Sequence, residues 1–398
     1  MRRYSILLGA VALQLCLGAT YSWSVFVKPL RELSGLSQAN AQLPFSVFYF
    51  SFPLALLFSG HAIRRFGPAR TAAAGGLLFG SGWMLASLGS ASFVLTVAGI
   101  GLLAGIGVGL AYVVPITVLV RWFPKQKGLV TGVAVSGFGA GAALISQIAG
   151  FLISTPGYTP YTAFGLLGSA FLFIAFGSGL LMKFPRGSSE QHSPLLPTRE
   201  ILARSEFRLL YLIMIGALAA GFSVNANMKE LFPAGGMATG ILGVSFFALA
   251  NAVGRVVWGA FFDRSSASVA LRANLIAQAI VLLSSPWLLT SRGGFLTLAI
   301  AAGFNYGGVL VLFAATVTHV WGAEYVGQVY GMLFSANILA APAPLLAGLW
   351  YDATNNFTWF FCFLAVLLIW SALEISRRGN SRIGQTENHH LVNSRKHL

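Results

Sequence analysis

Arg255 is a permanent cation in the middle of an apolar run long enough to cross a membrane, residues 235–262. A guanidinium in hydrocarbon costs roughly 2.5–3.5 kcal/mol even on the mildest scale, so something must offset it. The ten Asp and Glu of the chain offer little, because each is expected in a loop, in a tail or at the end of an apolar segment. What remains is the pairing of a planar, always-charged fork with the two oxygens of a carboxylate brought from outside the chain. The competing reading keeps Arg255 structural, snorkelling toward an interface or reaching Asp263 two turns on.

Other residues could complete such a site. Asn251 lies four positions before Arg255, hence on the same helical face. Its amide cannot titrate but can donate to a carboxylate or hydroxyl oxygen; equally, it can tie two helices together. Tyr112 and Tyr306 sit in the Gly-rich stretches AGIGVGLAYVVP and AAGFNYGGV. A tyrosine there offers a hydroxyl to an anion and a ring to a short alkyl chain, or simply packs. Lys28, near the end of the first apolar run, is the best candidate for exchanging a proton within the spans, since a desolvated ammonium gives up its proton more readily. Alternatively it is an interfacial lysine with its ammonium among lipid headgroups. Tyr21, Asn337 and Phe334 are weaker cavity candidates, and Trp23, Gln147 and Asn305 read as packing residues.

These side chains must be positioned by membrane-spanning helices. Hydrophobic residues make up 56% of the 398 and charged residues only 9%, against about 25% charged in an average globular chain. Mean hydropathy is +0.76. Apolar runs long enough to span a bilayer recur along the chain. We place twelve, at 5–29, 41–63, 71–90, 92–120, 128–153, 159–182, 207–229, 235–262, 269–290, 294–318, 326–349 and 357–376. The first follows Arg2 and Arg3 but runs on to Val27 without a small-x-small cleavage site, so it reads as an uncleaved span.

The net charge of +15 is not a nucleic-acid footprint. Of the 25 Lys and Arg, only Lys28, Arg31, Lys229 and Arg292 fall on one side of this topology; Arg255 lies within a span, and the other 20 gather on the opposite side. That asymmetry places both termini and the central loop in the cytoplasm of a multi-pass protein of the cell (inner) membrane. Cys16 and Cys362 both fall within spans and read as small hydrophobes. No spacing among the six His suggests a metal site, and no cofactor is expected.

The chain repeats. Gly60 opens GHAIRRFGPAR after the second span, and Gly259 opens GAFFDRSSAS after the eighth. Trp122, Gly128 and Gly132 share their spacing with Trp321, Gly327 and Gly331. Gly60 and Gly259, and Trp122 and Trp321, are each 199 positions apart. The expected organisation is an N-terminal six-helix bundle at 1–185, a cytoplasmic linker at 186–206, a C-terminal six-helix bundle at 207–378 and a polar tail at 379–398. Parallel halves of this kind put a transport site at the midplane between them.

GHAIRRFGPAR resembles the loop motif of the major facilitator superfamily after its second helix. It departs at Ala62–Arg64, where an Asp is usual, while the second copy keeps Asp263–Arg264. GATYSWSVFVKPL, AGIGVGLAYVVPITVLVRWFPKQKGLVTG and SGFGAG (136–141) are similar to the oxalate:formate antiporter family and the related monocarboxylate transporters. The resemblance implies an all-α membrane protein of twelve helices in two pseudo-symmetric bundles. It implies that Arg255 pairs with a substrate carboxylate, that Asn251 stands where an Asp is often a proton-relay partner, and that Lys28 in FVKPL matches a lysine tied to proton coupling. Oxalate transporters resemble a two-cation design, with a Lys on the eleventh helix; Asn337 stands at that place here. One fixed cation suits one carboxylate. The expected function is therefore alternating-access transport of a small monocarboxylate such as lactate or pyruvate, with a proton as co-substrate; the alternative is an oxalate/formate-type exchanger. The expected partners are that carboxylate, the proton and the lipid bilayer, with no nucleic acid.

Other classes fit less well. The spans hold no Ser/His/Asp set, no HExxH and no paired carboxylates, against an enzyme. The two-fold halves and the absence of a charged ring disfavour a channel. A receptor or scaffold would bind without flux, and no appended domain supports one.

Overall fold

The structure, a computed structural model, describes residues 2–123, 127–185, 196–322 and 325–382. Among them, twelve helical segments are long and apolar enough to cross a membrane: Arg3–Ser22, Gln38–Phe66, Pro68–Ser90, Phe93–Trp122, Ser136–Ser154, Pro160–Leu180, Ser205–Ala226, Pro233–Asp263, Ala267–Leu288, Arg292–Trp321, Gln328–Thr354 and Thr358–Arg377. They are called here the first to twelfth spans. Much of the expected linker and tail, at 186–195 and 383–398, lies outside the described residues. The last helix, Thr358–Arg382, runs into the stretch expected as tail, and Thr198–Ala203 forms a short helix in the linker.

Capping residues set the helix limits, because the first N–H groups of a helix have no partner within it. The Ser37, Ser266 and Ser291 side chains accept from the backbone N–H of Asn40, Val269 and Gly294. Thr159 and Thr162 cap the sixth span reciprocally.

The repeat seen in sequence is repeated in packing. In the first half the third span packs on the sixth, the second on the fourth and the first on the fifth; in the second half the ninth packs on the twelfth, the eighth on the tenth and the seventh on the eleventh. Two symmetry-equivalent contacts then join the halves, the second span with the eleventh and the fifth with the eighth. The outside is apolar, as lipid contact requires: Phe151, Phe173 and Trp287 are each about three-quarters exposed.

Three spans depart from continuous helix. The first crossing, expected as one helix, is helical over Arg2–Leu17, tightens into a 3₁₀ segment at Gly18–Ser22 and resumes as Ser24–Ser34. Gly18 permits this: a Cβ there would overlap the Phe138 carbonyl of the fifth span. The fourth span carries a π-helical stretch, Val97–Ala104. The eleventh is interrupted before Ala343, where Pro342 cannot continue the helical ladder.

Candidate functional site

The eighth span presents two faces. Leu249, Val253, Val256 and Val257 are turned outward, with Val256 72% exposed, while Asn251, Gly254 and Trp258 are buried. Arg255 follows Asn251 by four residues and so shares the inward face. Its Nε donates to the Asn251 Oδ1 at 3.2 Å, while the Asn251 Nδ2 is buried without a partner. The guanidinium faces Tyr112 most strongly, then Tyr21 and Tyr306. Among the described residues no carboxylate lies within ion-pair distance of Arg255, and Asp263 is exposed at the end of the span.

The tyrosines come from three different elements. Tyr21 sits in the 3₁₀ break of the first span, which turns its ring edge-on to Phe138 at 5.2 Å. Tyr306 comes from the tenth span, which approaches the eighth closely enough that a Cβ at Gly307 would overlap the Asn251 carbonyl. The Tyr21 and Tyr306 hydroxyls lie 3.3 Å apart and bridge the two halves. Tyr112 closes a π-helical and Gly-rich stretch of the fourth span, its ring against Phe138 and Phe52. Gln14 of the first span donates to the Tyr112 carbonyl at 2.9 Å, fixing that turn.

Arg255, Asn251, Tyr112, Tyr306 and Tyr21 are thus brought together. Phe334 stands one ring further out, 5.7 Å from Phe52. Asn337 is buried in the eleventh span, and its Nδ2 donates to the Phe334 carbonyl of that span at 2.6 Å. Trp23, Gln147 and Asn305 all serve packing, donating to the Ala41 carbonyl, the Ser245 hydroxyl and the Ala301 carbonyl respectively.

Lys28 lies away from this group. It is half exposed at the end of the molecule that carries few Lys and Arg, paired with Glu32 at 3.6 Å. Its ammonium is not sealed inside a span, as the expectation required. A second expectation also needs correction. Glu230 and Glu374 are buried carboxylates, 6% and 9% exposed, so burial is not denied to every acid of the chain. Neither lies within ion-pair distance of Arg255.

Sequence reasoning missed Tyr49, Phe138 and Phe222. Tyr49 packs on Phe222 with ring centroids 3.9 Å apart and stacks with Tyr21 at 6.2 Å. The dense aromatic run FSVFYFSF (45–52) was the available signal.

At the charge-poor end the two halves are locked. Both oxygens of Asp352, in the eleventh span, accept the N–H groups of Gln38 and Ala39 at the start of the second, at 2.8 and 2.9 Å. Gln38 and Gln42 both donate to Asn227 Oδ1, at 2.7 and 3.1 Å, and Gln42 donates also to the Ala226 carbonyl. Arg31 donates to the Gln38 side-chain Oε1 at 2.9 Å. Among the described residues, the side-chain hydrogen bonds between the first six and last six spans lie at this end or near the middle. The structure is therefore a state closed at the charge-poor end.

The model of the major facilitator superfamily matches residues 8–343. The chain belongs to the major facilitator superfamily. It is similar to the oxalate:formate antiporter of Oxalobacter formigenes, 24% identical over 91% of this chain and 87% of that protein. It is also similar to the apicoplast pyruvate carrier 1 of Toxoplasma gondii, 23% identical over 84% of this chain and 80% of the carrier. The crystal structure of a D-xylose-proton symporter shares the fold at 15% identity, with a TM-score of 0.72 over 93% of this chain and 96% of that one. The chain is thus a multi-pass membrane transporter of this superfamily rather than an enzyme.

Proposed function

We propose that this transporter carries a small monocarboxylate, of the lactate or pyruvate kind, by alternating access. The observation that carries the reading is Arg255: an intramembrane guanidinium turned inward toward Tyr112, Tyr21 and Tyr306, with no protein carboxylate beside it among the described residues. A carboxylate between these groups pairs with the guanidinium fork and accepts from tyrosine hydroxyls, and the rings cover a short alkyl chain. The names of two similar proteins, an oxalate:formate antiporter and a pyruvate carrier, agree with a small carboxylate. Asn337 in place of a second cation favours one carboxylate over two.

In this reading the basic end faces the cytoplasm, and the halves rock about the Tyr21–Tyr306 contact. Charge is balanced by a co-transported proton. In the sequence Lys28 is the candidate for that role, and its half-exposed ion pair with Glu32 counts against it. The second reading, exchange of one carboxylate for another, is favoured by the similarity to the oxalate:formate antiporter.

The test is uptake of radiolabelled lactate into proteoliposomes, with and without a proton gradient. Arg255→Ala should abolish uptake; uptake equal to wild type would remove the carboxylate site. Acceleration by an outward lactate or oxalate gradient, with no response to pH, would select the exchanger.

A further inference from the structure

The turn Asn227–Phe232 joins the seventh and eighth spans at the charge-poor end and lies outside both. It holds two titratable groups that the carboxylate site does not use. Lys229 is 4% exposed and Glu230 6%. They border a cavity of about 400 Å³ that straddles the halves, walled on one side by Lys28, Arg31 and Glu32 and on the other by Lys229, Glu230 and Tyr351.

Each charged group that faces Glu230 is engaged elsewhere. Lys28 is paired with Glu32. Arg31 donates to Gln38 and the Leu36 carbonyl and lies over the Tyr351 ring. Lys229 Nζ reaches across the halves to the Val25 carbonyl at 3.5 Å and lies beyond ion-pair distance of its neighbour. Asp352 is committed to the second span. Both oxygens of Glu230 are fully buried and accept no hydrogen bond. An ionised carboxylate is poorly tolerated in such a place, because burial removes its hydration and the nearby positive groups, engaged elsewhere, offset only part of that loss.

We infer that Glu230 is a proton-binding site built into the closed gate: its carboxylate takes a proton from the outer medium as the halves close over it, and returns the proton as they part. The O–H bond forms and breaks with no other partner. The inference rests on the alternating-access reading above but not on the identity of the cargo.

Burial drives the Glu230 carboxyl up to about 8, against the opposing pull of Lys229, of its own backbone N–H, and of Arg31 and Lys28. Burial also lowers Lys229, with Glu230 and Glu32 opposing and Lys28 reinforcing. The sign follows. A group that binds its proton more tightly in the closed state favours that state as pH falls from the raised value toward the open-state value of about 4.3. Lys229 works the other way, but only at alkaline pH, outside that window.

The full-length protein in lipid nanodiscs, without any carboxylate cargo, tests this. Spin labels at Leu33→Cys and Ala353→Cys, both exposed at this end, on a Cys16→Ala, Cys362→Ala background, report the distance between the halves. Between about pH 7.5 and about pH 5.5 the closed-to-open ratio should rise, by up to about tenfold per pH unit for one proton. Glu230→Gln, a neutral isostere, should hold the ratio high and flat with pH. A flat wild-type profile, or an unchanged slope in Glu230→Gln, overturns the inference; the wild-type titration decides alone if the variant does not fold. Because no cargo is present, this failure leaves the carboxylate reading standing. Wild-type lactate uptake by Arg255→Ala together with an intact pH response would be the reverse case.

Discussion

Asp352 accepts the backbone N–H of Gln38 at 2.8 Å, across the interface between the two halves of the molecule. Its second oxygen takes the next N–H, that of Ala39. A carboxylate from one half thus caps the first turn of a helix in the other, where unpaired N–H groups and the helix dipole favour negative charge. The contact exists only while this end is closed, so it is a latch whose strength sets the balance of the two states.

Asp352→Asn should therefore weaken closure. The substitution keeps the shape and removes the charge, and the site is partly solvated. The expected loss is about 1 kcal/mol, roughly fivefold in the closed-to-open ratio. Thiol labelling of Ser46→Cys, buried one turn behind Gln42 in the second span and outside the latch network, would read it as faster modification. Labelling no faster than in the unsubstituted background would show that Gln38, Gln42 and Asn227 hold the gate without Asp352.

Arg255→Lys separates charge from shape. Lysine keeps the positive charge but loses the planar fork and the Nε that donates to Asn251. A carboxylate held at two points should suffer more than one held by charge alone, so kcat/KM for uptake should fall by about tenfold or more. Full activity would mean that a point charge suffices.

The tyrosine hydroxyls make a graded series. Tyr112 is partly exposed and interacts most strongly with the guanidinium, whereas the Tyr306 hydroxyl is spent on Tyr21. Tyr112→Phe should raise KM a few-fold with thermal stability nearly unchanged. Tyr306→Phe should cost about 1 kcal/mol through the lost bridge, as one hydrogen bond typically does. The comparison is read from uptake kinetics together with melting in detergent; equal effects on KM would deny Tyr112 its special place.

Much of this was legible in the chain. The twelve spans follow from apolar run length, and the equal 199-residue spacing of two landmarks announced the repeated packing. Arg255 and Asn251 could be joined because four residues make one helical turn. The 3₁₀ break that aims Tyr21 inward was not legible, since it depends on Gly18 meeting the fifth span, a contact 120 residues away in sequence. Glu230 was placed at the end of an apolar segment correctly, yet its burial comes from the closure of the halves over it. Lys28 and Glu230 look alike in sequence, as charges near span ends; only packing separates the half-exposed one from the sealed one.

Backbone approach gives a last test, independent of any cargo. At Gly18 a Cβ would overlap the Phe138 carbonyl, and helix backbone can yield only by shifting the whole span. At Gly177 a Cβ would meet nothing within 4 Å, because that residue faces outward. Gly18→Val should therefore cost several kcal/mol, in the range of severe overpacking, and abolish folded protein or displace the 3₁₀ segment that carries Tyr21. Gly177→Val should leave the melting temperature within a few degrees. The pair is read by fluorescence size-exclusion chromatography and melting. Wild-type behaviour of Gly18→Val would mean that the first span does not press on the fifth here, and the placement of Tyr21 opposite Tyr306 would lose its structural cause.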